Sequence, residues 1–186
     1  MKTTTRVGLA AASGLLLASA CAAPIVPQRS RPGGSARWAE ALAARAALEW
    51  SADAELCRMS GGGIATDGWL PDSGGFWQLT YHSASKPTLF EVTVNSEGGL
   101  QTRTTAATPN RSCHLNPDWL DSPKIWATTR SHQVDALVLT FDAELAGDAE
   151  PQRYPGVPVW RIRFYRGDRS YEVHVVSALG EWLTTY

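Results

Sequence analysis

Apolar and polar residues alternate through Trp77-Gln-Leu-Thr-Tyr81 and, after a loop, through Phe90-Glu-Val-Thr-Val94. The same pattern returns at Trp160-Arg-Ile-Arg-Phe164 and Tyr171-Glu-Val-His-Val175. A period of two marks a strand with one buried face, so each pair reads as a hairpin. In the second, Gly167-Asp168 supplies a two-residue turn. The pattern places Trp77 and Trp160 on the buried side, beside Leu79 and Ile162 and close to an inward Val94 or Val175. Asp53-Ala-Glu-Leu and Asp135-Ala-Leu-Val-Leu read as a short strand ahead of each hairpin. Ahead of those, Ala36 to Trp50 is alanine-rich with an apolar stripe, a helix that Ser35 can cap. Ser122 to Ser131, with Pro123 at a first helical position after a Ser cap, is its shorter counterpart.

The pattern predicts an α+β fold made of two repeated helix-strand-strand-strand units, an antiparallel sheet with helices packed on one face. The units occupy 36–105 and 118–186, joined by a connector at 106–117 within a stretch rich in Thr, Pro and Asn. One helix on three strands is marginal at this size, so the halves are expected to pack together or to share a sheet. Eight Trp against two Met and four Phe agree with bulky anchors in a thin, strand-rich structure.

Several segments carry a resemblance: Trp38-Ala-Glu-Ala-Leu, the loop Ile64-Ala-Thr-Asp-Gly-Trp69, the Trp-led strands, Trp119-Leu-Asp-Ser, and Tyr171-Glu-Val-His-Val-Val-Ser-Ala-Leu-Gly-Glu-Trp182. Together they resemble the PepSY-like family in tandem, over almost the whole chain after its leader. Members of that family occur in propeptides of secreted metalloproteases and in bacterial envelope proteins. The resemblance implies a non-catalytic binding or inhibitory module. Its most concrete version is an inhibitor or modulator of an exported protease, and the alternative is a structural lipoprotein in envelope assembly.

Residues 1–20 combine Lys2 and Arg6 with a short apolar run ending in small residues, the anatomy of an export signal. That run is shorter than the roughly 20 residues a permanent membrane helix needs. Ala18-Ser-Ala-Cys21 resembles a lipobox, which makes Cys21 the lipidation site and places the protein on the extracytoplasmic side of the bacterial envelope, membrane-anchored. An ordinary secretory signal with Cys21 incidental is the other reading. Residues 21–35, rich in Pro, Arg, Ser and Gly, suit a flexible tether. Cys57 and Cys113 then remain as an even pair in an oxidising compartment, expected to form a disulfide, with two buried thiols as the other possibility.

The formal charge of −1, from 17 basic and 18 acidic residues, excludes a polybasic nucleic-acid binder. The chain carries no nucleophile elbow, zinc-protease helix, phosphate loop or EF-hand spacing, so no catalytic residue, cofactor or metal is expected. Gly61-Gly-Gly63 and Ser73-Gly-Gly75 read as a mobile loop, Arg166-Gly-Asp168 as a hairpin tip, and Asp142 with Glu144 as solvated residues leading into a surface loop. One outward patch stands out. With Tyr165 opposite Ser170, the hairpin sets Arg163 opposite Glu172 and Arg161 opposite His174, a cross-strand polar ladder. Such pairs stabilise a sheet by roughly 0.2 to 1 kcal/mol each. Arg161, Arg163, Tyr165, Glu172 and His174 are equally a candidate docking face for an unidentified extracytoplasmic protein or peptide, because Arg and Tyr are favoured interface residues.

Overall fold

The structure, a computed structural model, describes residues 33–107, 115–132, 140–146, 149, 152–166 and 169–186. The export signal, Cys21, most of the tether, Cys113 and the Gly167-Asp168 turn lie outside these residues. In chain order the elements are α1 (Ala36–Trp50), β1 (Glu55–Ala65), β2 (Phe76–His82), β3 (Thr88–Asn95), β4 (Leu100–Ala106), α2 (Ser122–Arg130), β5 (Thr140–Ala146), β6 (Val159–Arg166), β7 (Arg169–Ser177) and β8 (Trp182–Thr185).

The expected fold class is overturned. In place of two repeated helix-strand-strand-strand units, the strands form one eight-stranded antiparallel sheet in the order β4-β3-β2-β1-β5-β6-β7-β8, with only two short helices among the described residues. The joining element is β1, which pairs with β2 on one edge and with β5 on the other, Met59 opposite both Leu79 and Leu145. Two separate sheets would each have left a row of unpaired backbone groups at β1 and at β5; pairing those rows removes both exposed edges. Gly61-Gly-Gly63 lies within β1 rather than in a mobile loop. Strands β4 and β8 have no counterpart among the expected strands, and β4 takes up the Thr-rich end of the first expected unit.

Both helices form where the sequence places them. Ser35 caps α1, its hydroxyl accepting the Trp38 N–H at 3.3 Å. For α2 the cap is Asp121 rather than Ser122, with Pro123 in the first turn. The reason is tertiary, because Ser122 is used elsewhere. Its hydroxyl accepts the Ala36 N–H at 3.0 Å and donates to the Gly68 carbonyl at 2.6 Å. Asp121 accepts both its neighbour's N–H and that of Arg37, at 2.8 and 2.9 Å. One pair of side chains thus satisfies orphan donors at the starts of both helices. Gly68 makes this approach possible: at φ 84°, a Cβ there would stand 2.5 Å from the Ser122 carbonyl oxygen.

A single core cluster joins the helices to one face of the sheet. It takes Ala36, Ala39, Ala43 and Ala47 from α1, Ile125 and Trp126 from α2, and Met59, Trp77, Leu79, Val92, Val94, Leu145, Trp160, Ile162, Phe164 and Val176 from the strands. Trp77 and Trp160 are both fully buried, their ring centroids 6.3 Å apart and nearly perpendicular, an edge-to-face contact across the β1–β5 seam. Trp119 packs on Trp160 in the same manner at 5.9 Å. Trp77 faces Val94 as expected, but Trp160 faces Val176 rather than Val175. Val175 instead joins Ala146, Ala149 and Val159 in a smaller cluster.

Candidate functional site

Strands β1, β2, β5 and β6 turn their alternate residues away from the helices, and near the seam those residues are unusually charged. Arg58, Ser60 and Gly62 come from β1, Phe76 and Gln78 from β2, Asp142 and Glu144 from β5, and Arg161 and Arg163 from β6. They line an open depression of about 250 Å³ at the middle of the sheet. The sequence explains the placement strand by strand, since each of these residues sits one position from a buried neighbour such as Met59, Trp77, Ala143, Trp160 or Ile162.

Glu144 organises the site. Its residue is 7% exposed, and one carboxylate oxygen accepts from Arg58 while the other accepts from Arg161. Arg161 stands directly opposite it on β6, and Arg58 is offset along β1. A buried carboxylate between two half-exposed guanidinium groups has its charge compensated, which such a position requires. Asp142 faces Arg163 across the same ladder, and its Oδ1 accepts the Gly63 N–H at 3.1 Å. At the far wall Gln78 donates to Glu91 at 2.9 Å, and Arg103 pairs with Glu91 in turn.

The expected ladder is only partly present. Arg161, Arg163 and Tyr165 share the face opposite the helices, each partly exposed beside the buried Trp160, Ile162 and Phe164. His174 does not join them. Tyr165 pairs with Ser170, but Phe164 pairs with Glu172, so Tyr171 is an extra residue on β7 and the register shifts there. This bulge moves Val173 opposite Arg163 and Val175 opposite Arg161. His174 falls opposite Ile162 on the core face, fully buried, its ring edge-on to Phe164 at 4.8 Å and to Trp182 at 4.7 Å. The side chain of Glu172 lies outside the described residues. The acid that meets the arginines comes instead from β5: Glu144 pairs with Arg58 and Arg161, and both it and Asp142 are strand residues lining the depression, not solvated lead-ins to a loop.

Arg58 was missed as well, although its alternation with the apolar Cys57 and Met59 marks it as outward-facing. The glycine triplet that follows reads as loop and hides the strand. Cys57 is buried and disulfide-bonded, while Cys21 and Cys113 lie outside the described residues.

A second polar cluster joins the end of α1 to the β2–β3 turn. Asp53 accepts from the hydroxyls of Ser51 and Ser83, both at 2.6 Å, and from the Ser85 hydroxyl and N–H. These donors, Ser51 and Ser83 foremost, hold the Asp53 carboxyl well below the usual aspartate range. The cluster ties a loop to a helix end. Burial, with the negative charge of Glu40 behind it, pushes the Tyr81 phenol well above its ordinary range. Among the described residues no three His, Cys, Asp or Glu side chains gather as metal ligands, and no helix is long and apolar enough to cross a membrane. No family profile, curated protein or solved structure matches this chain.

Proposed function

We propose that this protein is a lipid-anchored component of the bacterial envelope that acts as a non-catalytic binding module, docking an extracytoplasmic protein on the face of its sheet opposite the helices. An exported protease that it inhibits or modulates is the most concrete partner, a reading that comes from the PepSY-like resemblance. The observation that carries the docking reading is the charged depression at the β1–β5 seam. There Glu144 holds both Arg58 and Arg161 in place, an arrangement suited to presenting a defined surface. The export signal and Cys21 supply the anchor, and residues 21–35 supply the reach.

Photo-crosslinking in native membranes tests it. The full chain carries the crosslinker at Ser60, on the depression, or at Leu48, an exposed residue of α1 used as control. A single protease identified by mass spectrometry in the Ser60 adduct and not in the Leu48 adduct supports the reading. An envelope-assembly complex there would replace the protease with the structural alternative. Indistinguishable adducts from the two positions would remove the docking face. Labelling with a radioactive fatty acid tests the anchor: Cys21→Ala should abolish incorporation and release the protein from the membrane fraction.

A further inference from the structure

Resting on that docking reading, we propose that the depression recognises a carboxylate, the acidic side chain of a partner's peptide segment, through Arg163. Three guanidinium groups line the depression against two carboxylates, and the pairing is uneven. Glu144 is shared by Arg58 and Arg161. Asp142 stands opposite Arg163 in the register, yet its Oδ1 is engaged by the Gly63 N–H, and Arg163 has no ion pair within 4 Å among the described residues. A partly exposed guanidinium on the wall of a depression presents a planar fork of donors matched to a carboxylate.

The floor at Gly62 is bare backbone. Gly62 has no positive φ, so its backbone does not require glycine. A Cβ there would stand 2.8 Å from the Phe76 ring. That ring and the β1–β5 register shift between Gly61 and Ile64 account for the glycine. Phe76, 42% exposed, offers an apolar wall beside that floor for the residue next to the acid. The occupant is one acidic side chain rather than a polyanion, because Arg163 is one cation and the chain's net charge of −1 draws in no phosphate backbone. The protein's own tether does not fit, since its charged residues are Arg29 and Arg31.

The probe is a display library of random 12-residue peptides panned on the immobilised full chain. Selected peptides should be enriched in Asp or Glu. In synthetic copies, replacing that acid with its amide should weaken binding at least tenfold. Arg163→Gln should weaken the acidic peptide to the same extent and leave the amide peptide unchanged, so the two losses do not add. Circular dichroism checks that the variant is folded, and Arg163→Glu should move the preference to Lys-bearing peptides. Peptides without acid enrichment, or undiminished binding to Arg163→Gln, would overturn the assignment. If the Ser60 crosslink to its partner survives that result, only the carboxylate assignment fails. If the crosslink is also indistinguishable from the Leu48 control, the docking face fails with it.

Discussion

Trp160 shows how much one side chain carries in this protein. It is fully buried, it meets Trp77 and Trp119 edge to face, and it lies on the strand that continues into Arg161 and Arg163. Trp160→Ala should therefore destabilise by about 3 to 5 kcal/mol, the range for a large buried aromatic, as read from urea unfolding. Arg163→Gln, one face away, should cost less than about 1 kcal/mol. A loss under about 1 kcal/mol for Trp160→Ala would contradict the packing described. Asp53 gives a pH prediction. Its carboxyl titrates below its unfolded value, so the stability it contributes is fully present above about pH 4 and is lost as the pH falls through the folded value. Asp53→Asn should lose stability at neutral pH and show a shallower acid limb than wild type. Parallel acid titrations of the two proteins would disprove the coupling. The alternation made both Trp positions legible from sequence. The serine collar of Asp53 was not, because Ser51, Ser83 and Ser85 meet it only once β2 folds back beside the end of α1.

At the level of elements, α1 docks through four alanines at i, i+3, i+7 and i+11, each 0 or 1% exposed. Small side chains let the helix backbone approach the sheet closely. Ala43→Leu should then cost about 1 to 3 kcal/mol by overpacking, although it raises hydrophobicity. Thermal melts would show it, and a more stable variant would mean there is free space beneath the helix. The disulfide belongs to this scale too. Mass spectrometry without reductant should join Cys57 to Cys113, and reduction should cost on the order of 2 to 5 kcal/mol. Two free thiols in protein isolated under oxidising conditions would refute the pairing. The β6–β7 register illustrates what an element can conceal. Arg163 faces Val173 rather than Glu172 because Tyr171 is an extra residue in β7, and a bulge leaves no mark in an alternating sequence.

For the whole molecule, the decisive contact is between β1 and β5. With Met59 between Leu79 and Leu145, and Trp77 against Trp160, the halves share one core and one hydrogen-bond ladder. Calorimetry should give a single cooperative transition whose van't Hoff and calorimetric enthalpies agree. Residues 36–106 and 118–186 produced as separate chains should not give that transition. Two resolved transitions in the intact protein would show that the seam is weaker than its geometry implies. The same seam brings Arg58 and Glu144, 86 positions apart, to one ion pair and so builds the depression.

By itself, the sequence determined what depends on neighbours along the chain. The helix at Ala36–Trp50 follows from its alanines and Ser35 cap, and the inward Trp77 and Trp160 follow from the period of two. The partly exposed positions of Arg161, Arg163 and Tyr165 follow from the same alternation. Tertiary structure decided what depends on partners distant in sequence. Where the halves were expected to pack together or to share a sheet, it joined them in one sheet without the repeated three-strand units, because open strand edges pair when they can. It withdrew His174 from the surface, because one bulged residue exchanges the faces of a strand. It also placed Glu144 between Arg58 and Arg161, because a buried carboxylate must be compensated by whichever cations the fold brings within reach.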